Sequence, residues 1–298
     1  MDISSADDVA TGRFVVNYPG KEYDPVTELF KKIVLEDVEI PGVPDIALKV
    51  IEALEDEYCS VEKLEAIIMR DVSLTATILR IANSPAYGRR HEVARVSDAM
   101  LLIGLQNIVP FVCIAAVVNQ HAEESDETAA VRHLLSVSHA ASLLSGHIKT
   151  VEVKREMAAV AGLFHDVGKI IMCSGIPAEY RKIRATAGEQ KTPLYQIETA
   201  LLGFNHCLVG AALATKWNLP PPYREAIRRH HDEKVKKTGL RETDALCYVI
   251  RLADKMAFDS GAEPFVSGEK HFPELLEALG IDEQTYKRVA KKVREKGG

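Results

Sequence analysis

The stretch Ala158 to Ile171, AAVAGLFHDVGKII, constrains this chain most, because it sets His165 and Asp166 side by side in a run otherwise apolar enough to be buried. Leaving a buried charge unpaired costs several kcal/mol, so the segment must supply an ion partner, hydrogen bonds or a metal. Four arrangements meet that need: a hydrogen-bonded core histidine, an Asp166 paired locally with Lys169, a helix kinked at Gly168, or a metal site. The dipeptide alone does not separate them. The rest of the chain has to.

Outside this segment the pattern is helical from Pro25 onward. In PDIALKVIEALED the apolar Ile46, Leu48, Val50, Ile51 and Leu54 recur at spacings of three and four, which makes one buried face of a helix. Ser60 before VEKLEAIIMRD, Ser73 before LTATILRIAN and Ser97 are placed as helix caps rather than catalytic serines. Between them NSPAYGRRHEVARV, broken by Pro85 and Gly88, reads as a solvated basic loop. Leu105 to His121 supplies a long apolar helix. Further helices are expected near Glu127–Ile148, Lys154–Met172, Ala178–Ala187, Pro193–Leu202, His206–Lys216, Pro222–His231, Glu242–Phe258, Glu274–Leu279 and Glu283–Glu295. Alternating strand patterns are nearly absent, so the fold class is all-α.

Composition limits partners and compartment. A formal net charge of -6 argues against a general nucleic-acid binder, which gains its affinity from a basic face that releases counterions. The five cysteines, Cys59, Cys113, Cys173, Cys207 and Cys247, are odd in number, widely spaced and without a CxxC, as in a reducing cytoplasm. The N-terminus shows no basic region followed by an apolar stretch, so no signal peptide is expected. A membrane span takes about 20 apolar residues, and the most apolar run, Pro110 to Val118, is less than half as long. Met1 to Asp24 is polar and reads as a flexible arm. The polar break HAEESDET marks a division around Glu123 to Asp126, giving an arm over 1–24, one helical subdomain over 25–122 and a second over 123–298.

The motifs PGVPDIALKVIEAL, RDVSLTATILRIANSPAYG and VSDAMLLIGLQNI resemble the HDOD family, bacterial signalling-associated all-helical proteins related to the HD phosphohydrolases. The resemblance covers roughly Leu35 to Phe258 and implies an N-terminal helical subdomain packed on an HD-like multi-helix subdomain. It also implies a site. HD-type enzymes carry a His, then His-Asp, then a distant Asp, and the HD-GYP subgroup adds three histidines. His133 in VRHLLSV, His165 and Asp166 in HDVGK, His206 in NHCLVGA, His230 and His231 in RRHHD, and Asp254 in LADKMA match those elements in order. By resemblance Asp166 bridges two metals, with His133, His165 and Asp254 around one and His206, His230 and His231 around the other. The sequence departs from the subgroup after His231, where DEKVKKTGLRETDAL contains no GYP triplet. That removes the motif tied to cyclic-di-GMP hydrolysis.

Imidazole and carboxylate together suit divalent transition metals, Fe or Mn first, with Zn, Co or Ni as alternatives, whereas Mg and Ca sites are built from oxygen ligands. Two such ions bridged by a carboxylate acidify water and clamp a phosphoryl oxygen. Lys169, one helical turn after Asp166, could hold a phosphate. Two functions follow. One is a regulatory protein that binds a signalling partner and retains a dinuclear His/Asp centre. The other is a metal-dependent phosphohydrolase or phosphodiesterase acting on a nucleotide or cyclic nucleotide, with Asp166 and Lys169 in the chemistry. The spacing excludes His139 and His147 from the cluster. His91, His121 and His271 sit in loop-like or terminal contexts, and Cys207 and Trp217 read as packed core residues.

Overall fold

The computed structural model describes residues 45–56, 58–83, 92–105, 124–217, 219–232, 234–259 and 270–296, together with 108, 111, 112 and 115. The arm expected over residues 1–24, residues 84–91 of the expected basic loop and most of the helix expected over Leu105 to His121 lie outside the described residues. Among the described residues every regular element is a helix. No single helix among them is long and apolar enough to cross a membrane.

The N-terminal group comprises α1 (Asp45–Glu55), α2 (Val61–Ile68), α3 (Val72–Ala82) and α4 (Val96–Ile103). Ser60 caps α2 as expected, its side chain accepting from the Lys63 amide. The caps expected at Ser73 and Ser97 are displaced. Asp71 caps α3 by accepting from Leu74 N, so a carboxylate two residues earlier takes the place expected of Ser73. At α4 the acceptor comes from another helix: Glu65 of α2 takes hydrogen bonds from both the amide and the hydroxyl of Ser97, each at 3.0 Å. The D-x-x-L-x-x-x-I-L-x-x-A-N signature thereby acquires a structural meaning. Asp71 starts the helix, Leu74, Ile78 and Ala82 are fully buried, and Asn83 ends it. The Asn83 amide donates to Leu79 O and Val93 O while its Oδ1 accepts from Val93 N at 2.7 Å, which ties the returning chain to the helix end.

The second group comprises α5 (Glu124–Ser145), α6 (Arg155–Phe164), α7 (Val167–Gly175), α8 (Pro177–Gln190), α9 (Leu194–Leu202), α10 (His206–Lys216), α11 (Pro221–Arg229), α12 (Glu242–Asp259), α13 (Phe272–Leu279) and α14 (Glu283–Lys296). Helix α5 packs along α6 and α12, α7 lies against α10, and α11 fills the space between α10 and α12. Buried apolar residues of both groups belong to one contiguous core, with Trp217 closing the end of α10 as the core anchor expected of it. Burial of this area on an amphipathic framework is the main term holding helices together.

Two of the boundaries that differ from the sequence expectation serve the site. Instead of one helix over Lys154–Met172 there are two, separated at His165 and Asp166. Successive residues of a continuous helix point about 100° apart, so an unbroken HD pair could not face one point. Asp166, at φ -106 and ψ 14, leaves the helical conformation and turns its carboxylate back. The helix expected over Pro222–His231 ends at Arg229, leaving His230 and His231 on the turn beyond it.

Two glycines let these helices approach. A Cβ on Gly162 would lie 2.8 Å from the Ser138 backbone, so α6 can press against α5 one turn before His165. A Cβ on Gly168 would lie 1.9 Å from the carbonyl oxygen of His206. Only glycine permits that contact, which brings the start of α7 onto the start of α10.

Candidate metal centre

The Asp166 carboxylate stands between two pairs of imidazoles. Its Oδ2 is 3.1 Å from His133 Nε2 and 3.1 Å from His165 Nε2, and its Oδ1 is 3.2 Å from His206 Nε2 and 3.4 Å from His230 Nε2. Asp254, projecting from α12, adds Oδ1 at 3.4 Å from His133 Nε2 and 3.7 Å from His165 Nε2. His133 comes from the middle of α5, so five separate elements converge on one buried point. His165, His206 and His230 are essentially inaccessible to solvent. His231 stands at the edge of the cluster, stacked on Tyr195 at 4.5 Å.

Backbone and carboxylate partners aim the rings. The Nδ1–H of His165 donates to Gly162 O at 2.8 Å, that of His230 to Ile227 O at 2.7 Å, and that of His206 to Glu198 at 2.6 Å. In each neutral ring the Nε2 lone pair then points inward. His133 and His165 bring Nε2 atoms to 3.3 Å, and so do His206 and His230. Lone pairs facing each other and two carboxylates repel unless protons or a metal ion lie among them.

The donor set fits divalent transition-metal ions. Bonds of about 2.1 Å to nitrogen or oxygen place neighbouring ligands about 3.0 Å apart in an octahedron and about 3.4 Å apart in a tetrahedron. The 3.1 to 3.4 Å separations around Asp166 fall in that range. Ligand atoms of His133, His165, Asp166 and Asp254 lie within 4.8 Å of one another, and those of His206, Cys207, His230 and His231 form a second such group.

The electrostatics match this demand. Burial pushes the Asp166 carboxyl up, but the charges of His165 and Lys169 outweigh it and hold the group well below the usual carboxylate range. Burial pulls the His165 imidazole down, while Asp166 and Asp254 overcome it and raise it to about 10. His206 is likewise raised against burial, chiefly by Glu198. His231 goes the other way, lowered by burial and by the neighbouring His230 and His206, which leaves its lone pair available. The proteins that bind metal through such rings exchange protons for the ion.

Every residue named from the sequence as a ligand, His133, His165, Asp166, His206, His230, His231 and Asp254, falls in one of the two groups. Lys169 is also there. Its ammonium is 2.6 Å from Asp166 Oδ2 with the side chain 18% exposed, so the local ion pair and the cluster coexist. The kink falls at His165 and Asp166 rather than at Gly168. His139 is buried but outside both groups.

Two residues of the centre were not expected. Cys207, read as packed core, is buried with its sulfur 3.8 Å from His230 Nε2. Glu198, fully buried on α9, takes the His206 amide at 2.9 Å, the His206 ring and the Tyr180 hydroxyl at 2.7 Å. The sequence signal for Glu198 was a carboxylate on an otherwise apolar helix face, LYQIETALL.

Comparison with known proteins bears on the fold that carries this cluster. A family model described as the HDOD domain matches residues 40–233, which includes every histidine of the cluster and stops short of Asp254. An uncharacterized protein of Treponema pallidum (strain Nichols) is 26% identical over 200 residues, 65% of this chain and 38% of that protein. The chain therefore spans less than two fifths of that relative's length. Among solved structures, an HDOD domain protein with unknown function from Geobacter sulfurreducens has a TM-score of 0.64 at 23% identity, covering 91% of this chain and 93% of that one. A Shewanella amazonensis SB2B protein, whose proposed description is a metal-dependent phosphohydrolase, has a TM-score of 0.62 at 20% identity, covering 92% and 98%. These likenesses establish the all-helical fold.

Proposed function

The chain belongs to the HDOD family, and from that premise and the arrangement around Asp166 we propose that it is a signalling regulator whose second helical group holds two divalent transition-metal ions. The carrying observation is that one carboxylate presents an oxygen to each of two imidazole pairs. His133, His165, Asp166 and Asp254 would hold one ion, His206, His230 and His231 the other, with Asp166 shared. When bound, such ions acidify water and neutralise phosphoryl charge. The protein's part is to fix the rings through Glu198, Gly162 O and Ile227 O and to keep bulk water from the buried ligands.

We assign a protein partner to the N-terminal group and keep the division from the metal-binding group where the sequence suggests it, around Glu123 to Asp126. Val72, Leu101 and Met69, 81%, 61% and 57% exposed, are large apolar side chains left open on α3, α4 and the end of α2. Among the described residues Cys59, Cys173, Cys207 and Cys247 form no disulfide, which supports a cytoplasmic setting. A second reading, phosphodiester hydrolysis of a nucleotide or cyclic nucleotide, is favoured by Lys169, which is charge-paired to Asp166 yet partly open to a phosphate.

Elemental analysis of protein purified without added metal tests the main reading, with two ions per chain expected and none overturning it. Hydrolysis of a generic aryl phosphodiester and then of cyclic nucleotides by that metal-loaded protein tests the second. Metal without turnover leaves the regulator and removes the enzyme.

A further inference from the structure

The two ligand groups differ in one atom type. The first contains nitrogen and oxygen only, whereas the second contains the sulfur of Cys207. That side chain is 3% exposed and lies beside His206 at the first turn of α10, where Asn205 caps the helix by accepting from Cys207 N and Leu208 N. The cap holds both ligand-bearing residues at the helix end that Gly168 abuts. Cys207 Sγ faces His230 Nε2 at 3.8 Å, and His230 Nε2 in turn faces His206 Nε2 at 3.3 Å.

We propose that Cys207 is a thiolate ligand of the second ion, so that this half of the centre adds sulfur to its imidazoles and the shared Asp166 carboxylate, while the Asp254 half binds through imidazole and carboxylate alone. The inference rests on the metal reading above and adds to it an inequality between the two positions. Bonds of about 2.3 Å to sulfur and about 2.1 Å to nitrogen set two ligands of a five-coordinate ion about 3.1 Å apart at a right angle and about 3.8 Å apart at 120°, a range that includes the Cys207–His230 separation of 3.8 Å. A thiolate selects softer ions, so the second position takes Zn, Co or Fe(II) over Mn, and the carboxylate-rich first position tolerates the harder ion. The centre is thus built to hold two different metals.

Cobalt(II) provides the direct readout, since a thiolate bound to it gives a sulfur-to-metal charge-transfer band in the near ultraviolet that imidazole and carboxylate do not. Full-length protein stripped of metal and reloaded with cobalt(II), its content measured on the same sample, should show the band. Cys207→Ser should lose it and bind zinc at the second position at least tenfold more weakly. Cys247→Ser is the control for a buried thiol elsewhere, its sulfur donating to Glu225 O at 3.6 Å, and should keep the band. Cobalt bound at two per chain with no band, or a band surviving in Cys207→Ser, overturns the thiolate ligand and leaves the metal centre standing. Failure of the wild type to bind cobalt or zinc at all overturns both.

Discussion

Glu198 accepts the Nδ1–H of His206 at 2.6 Å, and both side chains are buried beyond the reach of solvent. This contact fixes the tautomer that turns His206 Nε2 toward Asp166, and its charge makes the ring a stronger donor. Glu198→Gln keeps the shape and removes the charge. Metal titration against a chelator should show the variant about 10- to 100-fold weaker at the His206 position, the range usual for losing such a partner. Unchanged affinity would show that the contact serves folding alone.

Close packing makes a separate prediction about Gly168. An alanine there puts its Cβ against the His206 carbonyl, a backbone atom that cannot swing away, so α7 must separate from α10. Gly168→Ala should destabilise the protein by about 3 kcal/mol, as overpacking of a tight contact does, and lower its metal content. Gly210→Ala meets the movable Ile227 side chain at 2.8 Å and should be milder. Gly188, inside α8 with nothing within 4 Å of its would-be Cβ, should gain about 0.4 to 1 kcal/mol on replacement by alanine. Thermal denaturation of the three variants in parallel checks the order.

Much of this arrangement was legible beforehand because helical periodicity is a local property. His206–Lys216 has the predicted bounds, and the ends of α12 and α14 agree within a residue. The seven residues proposed as ligands were named through the order of motifs, and all seven fall in the two side-chain groups. What escaped depends on contacts between elements. Glu65 capping α4 from α2, and Glu198 bracing His206 from α9, are set by which helices become neighbours. The break at Asp166 escaped for a related reason: AAVAGLFHDVGKII has good helical character throughout, and the competing preference comes from bringing His165 and Asp166 to one point.

Acid should reveal the brace under His230. Asp244, fully buried on α12, holds Arg229 at 3.0 Å beside His230, and also meets Arg241 and Lys236. Burial raises its carboxyl, but hydrogen bonds from Arg229 and Arg241 outweigh that and lower it from the ordinary 3.8 to about 2. A depressed folded value stabilises the fold above the unfolded one, so the contribution is complete at neutral pH and disappears as pH falls from about 5 toward 2. It amounts to about 2 kcal/mol by linkage. In denaturant titrations the gap between wild type and Asp244→Asn should be widest near pH 7 and shrink across that window. A gap that stays constant with pH would locate the effect in packing rather than charge.

The bridging role proposed for Asp166 would set it apart from every single histidine. Removing its carboxylate takes a ligand from each ion and leaves two cations facing each other in a site of low dielectric, where repulsion is poorly screened. Asp166→Ala should therefore lose both metals, whereas His206→Ala should lose mainly the ion it shares with His230. Lys169→Ala should keep both, because its ammonium neutralises Asp166 Oδ2 without donating a lone pair to any metal. Elemental analysis of the three variants beside wild type gives the stoichiometries directly, and circular dichroism on the same samples confirms that the helices persist. Full occupancy in Asp166→Ala would refute the bridge. Loss of both ions in His206→Ala as well would mean that the two positions fill only together, with the shared carboxylate held in place by the pair rather than by either ion.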